Sequence, residues 1–445
     1  MRRVETGVFG EISLFSGDRL MSQLREQDHL FTVLEKGANG NQPIVIGAVN
    51  ECLNARLDSL AAIIEKFCEP QVAIVSLTIT EKGYCIDPAT GSLDLSNPRI
   101  AHDLQTPTEP HSAPGIIVEA LHRRRERGLQ PFTVLSCDNI PDNGHVVKNA
   151  VLGMAEKRSP LLATWIQEHV SFPGTMVDRI VPAATEESLA EIARELGVAD
   201  PCAISCEPFI QWVIEDNFVC GRPQWETAGV QMVENVLPWE QMKLRMLNGS
   251  HSFLAYLGYL AGFQHISDCM QDSAFREAAY RLMLNEQAPT LQITDVDLDQ
   301  YALSLLERFA NPALKHKTWQ IAMDGSQKLP QRMLEGIRVH LARQSEWPLL
   351  ALGVAGWMRY VGGVDDSGTA IDVRDPLSEK IAALVKQSTE SERVNALLSL
   401  REIFATDLVQ NLQFVAAIQQ AWQRIAQYGA HQAVIETLKV NDFCH

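Results

Sequence analysis

The chain has 445 residues, 46% of them hydrophobic and 21% charged, a composition typical of a globular protein with two or three domains. Its formal net charge of −17 argues against nucleic acid or an anionic membrane as the main partner. The sequence has no apolar run of about 18 residues and no signal-peptide pattern, so we expect a cytoplasmic protein without a membrane span.

The first half of the chain alternates short β-branched runs with helical patterns. Strands are predicted at 8–14, 30–37, 43–49, 72–79, 132–139 and 175–182, and helices at 18–27, 58–69, 114–128, 146–157 and 186–197. This alternation indicates βαβ units and a parallel sheet. The almost wholly apolar run at 72–79 is typical of a central strand covered on both faces.

From residue 225 onward the strand signal fades and helical patterns take over. Helices are predicted at 237–263, 273–287, 296–309, 329–344, 346–360, 376–388, 391–405 and 408–428. We therefore predict an α/β, Rossmann-like doubly wound domain over 1–225 and an all-α substrate domain over 226–445. Ligands of doubly wound folds lie at the carboxyl ends of the strands, so polar residues there are candidates for a site.

Two predicted strands carry such polar residues. Asn139 ends the run SCDN, where an Asx turn is the favoured interpretation of that residue alone. Asp178 and Arg179 lie inside the apolar stretch MVDRIVP, where they could form a structural ion pair or belong to a site.

The predicted helix at 237–263 contains the stretch KLRMLNGSH, which places polar residues in an apolar segment. On an ideal α-helix His251 lies about 80° and Asn248 about 140° round from Lys243, so all three share one side. Taken singly, each fits a polar helix edge, and Gly249 lets another chain or a ligand approach the backbone. Together, a lysine base, amides for a developing oxyanion and a histidine suit hydride transfer between an alcohol and a ketone.

No cluster of cysteine, histidine and carboxylate residues offers a metal site in the sequence. The nine cysteines are scattered, and the CxxxC formed by Cys202 and Cys206 has no second pair to complete a zinc site. We interpret the cysteines as reduced thiols of a cytosolic protein and expect metal-independent chemistry.

Six blocks, in order, resemble the polyol-specific long-chain dehydrogenases, the mannitol dehydrogenase family. They are SLTITEKGY (76–84), SCDN (136–139), SFPGTMVDRIVP (171–182), CEPFIQWVIEDNF (206–218), KLRMLNGSH (243–251) and WQIAMDGSQKLPQR (319–332). The resemblance extends from residue 7 onward and is strongest to the hexuronate-reducing branch. It implies an NAD-dependent alcohol dehydrogenase or ketone reductase, without a metal, that interconverts a keto-hexuronate such as fructuronate and a hexonate such as mannonate.

The resemblance also implies roles for individual residues. Lys243 would be the general acid/base, Asn139 and Asn248 would form the oxyanion hole, and His251 would position the substrate. Asn139 on one domain and the set Lys243, Asn248 and His251 on the other would then face each other across one cleft. Asp178 would support the site near the nicotinamide. A further candidate for binding substrate oxygens is Lys328.

The cofactor-binding part departs from the family pattern. A Rossmann domain opens with a strand, a glycine-rich turn and a helix, yet no Gly-x-Gly occurs in the 445 residues and the chain begins at an apparent second strand. Glu11, near the end of that strand, is a candidate for holding the ribose hydroxyls. A misplaced start, a truncated gene and a genuine short form are all open explanations. We expect weak NADH binding and lower stability than full-length relatives, which calorimetric titration tests.

Two alternatives to the keto-hexuronate reductase are a mannitol or arabinitol dehydrogenase and a non-catalytic remnant that has lost its cofactor. A basic residue at the carboxylate end of the substrate would favour a uronate, and Arg245, Lys328 and Arg332 are available. The expected partner is a small sugar acid or polyol, and the expected assembly is a monomer or homodimer. The sequence does not choose between NAD and NADP.

Overall fold

The computed structural model describes residues 9–14, 16–37, 40–87, 90–294 and 296–442. The chain divides into two compact units, Met1–Trp239 and Glu240–His445, where the sequence pattern placed the division at 225/226. In the described ranges, no helix is both long enough and apolar enough to cross a bilayer.

The first unit contains short strands connected mainly by helices. Its strands are β1 (Phe9–Ser13), β2 (Phe31–Gly37), β3 (Gly40–Ile46), β4 (Val49–Asn54), β5 (Ile74–Leu77), β6 (Thr133–Ser136), β7 (Thr175–Asp178), β8 (Ile204–Cys206), β9 (Gln211–Glu215) and β10 (Gln231–Val233). Its helices are α1 (Asp18–Glu26), α2 (Leu60–Phe67), α3 (Thr80–Gly83), α4 (Pro98–Gln105), α5 (Ala113–Glu126), α6 (Asn143–Arg158), α7 (Pro160–His169) and α8 (Glu186–Leu196). A 3₁₀ turn spans Trp225–Ala228.

The predicted parallel arrangement is confirmed for β5 and β6, and two further parallel pairs join a predicted strand to one that the sequence did not predict. β1 pairs with β4, β5 with β6, and β2 with β8, all in parallel. The doubly wound sheet is present as separate parallel pairs, because no strand of the described ranges joins β1–β4 to β5–β6. β5 is also not covered on both faces, since Ser76 in its centre is exposed.

Two antiparallel pairs were not predicted from the sequence. β2 pairs with β3 in antiparallel register from Phe31↔Ile46 to Gly37↔Gly40, and β7 pairs in the same way with β9. Only two residues separate β2 from β3, and a connection that short cannot make the crossover that parallel strands need. A parallel pair β9–β10 completes the second of these sheets.

The core of the first unit lies around β5, β6 and the helices α5 and α6. α5 is apolar over most of its length and buried from Ala113 to Leu121. Its first turn is fixed by Ser112, whose hydroxyl accepts from the Gly115 amide at 3.0 Å, an N-cap of the kind that satisfies an otherwise unpaired helix donor. The helix therefore begins within a residue of the predicted start, and it packs against α6, which contacts β6.

The second unit is all-α in the described residues, as predicted. Its α-helices are α9 (Leu237–Met242, which crosses from the first unit), α10 (Ser250–Leu260), α11 (Ile266–Gln271), α12 (Ser273–Arg281), α13 (Leu298–Phe309), α14 (Thr318–Ala322), α15 (Gly325–Leu329), α16 (Glu335–Arg343), α17 (Pro348–Tyr360), α18 (Ser378–Gln387), α19 (Arg393–Leu398), α20 (Thr406–Val409) and α21 (Leu412–Asp442). Gly429, with φ of 75°, interrupts α21.

Three π-helical segments lie within helices that the sequence predicts. They are π1 (Lys243–Gly249, between α9 and α10), π2 (Leu282–Gln287, after α12) and π3 (Pro330–Leu334, between α15 and α16). π1 packs against both π2 and π3. α10, buried at every residue except Tyr259, packs against α14 and α17 in the same core. Such π turns are frequent at functional sites, so the packed segments π1, π2 and π3 are the candidate location of a site.

Candidate active site

Lys243 and Asn248 both belong to π1. In a π turn each amide bonds to the carbonyl five residues earlier, so Asn248 lies one turn beyond Lys243. The separation of about 140° expected on an ideal α-helix is therefore wrong here. Lys243, Asn248 and His251 are each 7% exposed. The structure thus brings the three predicted residues together as a buried polar group on one stretch of helix.

Asn248 has an unused donor. Its Nδ2 is buried and has no hydrogen-bond partner among the described residues. Its backbone carbonyl accepts from Nη1 of Arg332 at 3.3 Å. Because a buried amide without a partner costs free energy, this donor is suited to a ligand oxygen.

His251 is held by rings on two sides. Its imidazole stacks on Phe309 with ring centroids 4.9 Å apart and meets His316 edge-on at 4.8 Å, while its buried Nε2 has no hydrogen-bond partner in the described part of the chain. Burial lowers the pKa of His251 well below 6.5, and the cationic side chains nearby, including Arg332, lower it further. The ring is therefore neutral at pH 7 and can exchange a hydrogen bond with a hydroxyl group.

Lys328 is partly committed to the backbone. Its Nζ donates to the carbonyls of Ile321, at 3.2 Å, and of Met323, just beyond the end of α14. Burial, followed by the charge of Arg332, lowers the pKa of Lys328 to about 8. With two of three ammonium donors used, at most one remains for a ligand.

Arg332 lies in π3, four residues after Lys328. Its Nη1 donates to the Ser252 hydroxyl at 3.0 Å as well as to the Asn248 carbonyl, and its Nε is buried without a partner among the described residues. Burial lowers the pKa of Arg332 to about 10, so the guanidinium stays charged at neutral pH.

Arg245, the third basic residue considered for a carboxylate, is occupied elsewhere. Its Nη1 donates to the Thr290 carbonyl at 2.7 Å and to the Thr290 hydroxyl at 2.9 Å. Two neutral acceptors thus hold its Nη1 inside the helical core, and none of its nitrogens is a buried atom that lacks a partner among the described residues. We therefore remove it from the carboxylate-binding candidates.

Gly249 is where the three π segments meet. A Cβ on this glycine would lie 2.4 Å from Nε2 of Gln287 in π2 and 2.8 Å from the backbone carbonyl of Arg332 in π3. The expected close approach to this glycine is thus made by two other segments of the same chain. The absence of a side chain lets π1 pack closely against π2 and π3 at this point.

The predicted residues of the first unit lie at strand ends. Asn139 is exposed and lies three residues beyond β6, whereas Asp178 is the last residue of β7 and is 3% exposed. Arg179, next to Asp178, forms its ion pair with Glu35 and donates to the Glu207 carbonyl at 3.0 Å. The structural ion pair considered for this stretch thus uses a carboxylate from β2.

Glu11 lies in β1 opposite Cys52 of β4 and is exposed. Its carboxylate is therefore accessible to a ligand. Among the described residues no group of three or more histidine, cysteine, aspartate or glutamate side chains is arranged to hold a metal ion.

Sequence reasoning missed three residues of the second-unit cluster. His316 lies in a charged stretch, KHK, and nothing in its spacing connects it with His251. Ser252 and Gln287 are ordinary helix residues in the sequence, yet Ser252 bonds Arg332 and Gln287 contacts Gly249. Only the packing of distant helix segments reveals them.

Two family models match the chain in succession. Residues 8–227 match the mannitol dehydrogenase Rossmann domain, and residues 235–426 match the mannitol dehydrogenase C-terminal domain. A solved structure of Pseudomonas fluorescens mannitol 2-dehydrogenase, in a ternary complex with NAD and D-mannitol, superposes with a TM-score of 0.84 at 39% identity, covering 96% of this chain and 87% of that one.

Curated relatives agree with this match. The chain is 81% identical to the uncharacterized oxidoreductase YeiQ of Escherichia coli K12, over 97% of this chain and 88% of the relative. It is 58% identical to the D-mannonate oxidoreductase of the same organism, over 95% of this chain and 88% of the relative. The chain therefore belongs to the mannitol dehydrogenase family, whose members are NAD-dependent oxidoreductases acting on CH–OH groups.

Proposed function

We propose that the protein reduces a keto-hexuronate to a hexonate with NADH, and that fructuronate and mannonate are the substrate and product. The observation that carries this proposal is in π1, where buried Lys243 lies one turn from Asn248, on a helical stretch that continues to the buried, neutral His251. The 58% identity to a D-mannonate oxidoreductase supports the acid over a neutral sugar.

The Rossmann domain has a residue suited to the ribose of NAD but lacks the usual turn for its pyrophosphate. The exposed carboxylate of Glu11 can accept hydrogen bonds from ribose hydroxyls, as an acidic residue of the second strand does in this fold. The sequence contains no Gly-x-Gly turn for the pyrophosphate. Bound NADH would supply the hydride for the reaction.

The protein's own residues would supply the proton and hold the oxygen. As the carbonyl carbon gains its new C–H bond, the C=O π electrons move to oxygen, and the ammonium of Lys243 protonates that oxygen to give the hydroxyl and a neutral lysine. The Asn248 Nδ2 donates to the same oxygen while its negative charge develops. Asn139 is the candidate for the second amide, and the reverse reaction uses Lys243 as the base.

Three further residues receive lesser roles in this proposal. His251, neutral at pH 7, would exchange a hydrogen bond with a substrate hydroxyl through Nε2. Lys328 would offer its remaining donor to a substrate oxygen. Asp178, buried at the end of β7, would support the site near the nicotinamide.

A panel of substrates tests the proposal. NADH oxidation by the 445-residue chain is measured with fructuronate, tagaturonate and fructose side by side, and we expect the highest kcat/KM with fructuronate. Activity on fructose alone would contradict a uronate reductase and favour a polyol dehydrogenase, which the 39% identity to a mannitol 2-dehydrogenase keeps as the second candidate. Absence of activity on all three would favour the non-catalytic remnant.

A further inference from the structure

Arg332 in π3 and Lys328 in α15 are two cations that have no ion-paired carboxylate among the described residues. Among the described residues none forms an ion pair with Arg332. The charges of Asp324 and Asp375 raise the pKa of Lys328, but neither carboxylate forms an ion pair with it. Both residues are half-buried, and a charge taken partly out of water without a counter-charge is costly in a folded protein. The cost is acceptable where a ligand supplies the missing negative charge.

Arg124, an arginine buried in the first unit, shows how the hydrogen-bond donors of a structural guanidinium are satisfied. Arg124 is 1% exposed, its Nε donates to the Gln130 carbonyl at 2.6 Å, and its Nη1 donates to the carbonyls of Phe67 and Glu69 at 2.8 and 2.9 Å. Arg332, by contrast, keeps its buried Nε without a partner in the described part of the chain. The difference indicates that Arg332 serves more than packing.

The guanidinium of Arg332 is fixed to the helical stretch that carries the proposed reacting groups. Its Nη1 bonds to the Asn248 carbonyl and the Ser252 hydroxyl, so one side of the fork is anchored to π1 and α10. Lys328 precedes it by four residues, a spacing that puts two helical side chains on the same face. An anion between them would meet the unused Nε of Arg332 and the third donor of Lys328.

We propose that Arg332 binds the substrate's carboxylate, assisted by Lys328, and thereby makes the protein prefer a keto-acid over the corresponding neutral ketose. The inference rests on the proposed function and adds to it the residue that determines specificity. A planar guanidinium suits a carboxylate because it offers parallel N–H donors, which an amide or an ammonium does not. The neutral His251 then binds hydroxyl groups and leaves charge recognition to Arg332.

Paired substrates test this role directly. Fructuronate and fructose differ only in having a carboxylate or a hydroxymethyl group at the end far from the ketone. For Arg332→Met we expect kcat/KM with fructuronate to fall about 100-fold and kcat/KM with fructose to change by less than about fivefold. Arg332→Lys, which keeps the charge but loses the fork, should keep the ratio of the two within about tenfold of the wild type.

The control is Arg343→Met, an exposed arginine on α16 whose loss changes the net charge equally; both activities should stay unchanged. Equal losses on both substrates in Arg332→Met would show a structural role and overturn the inference. An unchanged ratio with an active wild type would overturn the inference alone. A wild type inactive on fructuronate would overturn the proposed function as well. If Arg332→Met does not fold by circular dichroism, Arg332→Gln replaces it with the same expected ratio.

Discussion

The loop that follows β6 and the π1 cluster both hold polar groups near a core, but they treat them differently. In the first unit Asp138 accepts from the Ile79 amide at 3.0 Å, the Thr80 amide at 2.9 Å and the Tyr84 hydroxyl. In the second unit Asn248 has a buried polar atom that no described residue satisfies. Polar groups whose hydrogen bonds are all made within the protein fix a loop, whereas polar groups without a partner are available for a ligand.

The asparagines Asn143 and Asn248 show this difference between the two units. Nδ2 of Asn143 donates to the carbonyls of Asp138 and Thr175 at 3.1 and 2.9 Å, and its Oδ1 accepts from the Thr175 amide at 3.0 Å. Asn143 is 2% exposed and Asn248 is 7% exposed, so burial alone does not distinguish them. Their hydrogen bonds do, and this predicts that one asparagine serves stability and the other activity.

The largest effect is expected for Lys243→Ala. Loss of the acid/base should lower kcat by about 1,000-fold, within the range of general acid–base catalysis, while substrate binding changes much less. Steady-state NADH oxidation measures it, with thermal unfolding as the check that the variant folds. A folded variant within tenfold of wild-type kcat would remove Lys243 from the mechanism.

Asn248→Ala and Asn143→Ala should then separate function from stability. We expect Asn248→Ala to lose about 100-fold in kcat, the effect of removing one oxyanion donor, with a stability change below about 0.5 kcal/mol. Asn143→Ala should lower the free energy of unfolding by about 3 kcal/mol because it leaves buried carbonyls and an amide unpaired. Urea unfolding and kcat are measured for both variants, and the reversed pattern would contradict the assignment of Asn248 to activity and Asn143 to stability.

Gly249→Ala tests whether the three π segments need their close contact. The new methyl group would meet Gln287 and the Arg332 backbone well inside van der Waals distance, so we expect a loss of about 3 kcal/mol in stability. Gly128→Ala, at a turn with φ of 69°, is the matched control in open space and should cost about 1 kcal/mol through backbone strain alone. Equal unfolding midpoints for the two variants would contradict the packing interpretation.

The smallest effect is a pH dependence of stability. Burial, followed by the charge of Lys328, lowers the pKa of His316 from 6.5 to about 4. The unfolded chain therefore binds this proton first as pH falls below 6.5, and stability decreases until about pH 4. Between pH 7 and pH 5 the contribution of His316 to this loss is about 2 kcal/mol, as linkage requires. The pKa values of His251 and His340 are lowered too and add to the same loss. His316→Gln should flatten this slope in urea midpoints, and an unchanged slope would assign it to other groups.

Much of the fold followed from the sequence because periodicity and caps are local. The predicted helix at 273–287 coincides with α12 and π2, and the predicted strand at 30–37 with β2. β4 was missed because VNECLN carries a charged residue and asparagines in place of a β-branched run. The antiparallel hairpin β2–β3 was missed because β3 begins at Gly40, before the β-branched run at 43–49 that predicted it, so the connection is shorter than the sequence pattern indicated.

The sequence by itself determined that Lys243, Asn248 and His251 share one helical segment, because spacing along a chain is a property of the chain. It also determined the family, through six ordered blocks. The tertiary structure alone decided that π1 has a wider turn, that Nη1 of Arg245 bonds to Thr290, and that Nε of Arg332 has no partner among the described residues. The physical reason is that a donor's partners come from residues distant in sequence, so only packing reveals which polar groups remain available for a substrate.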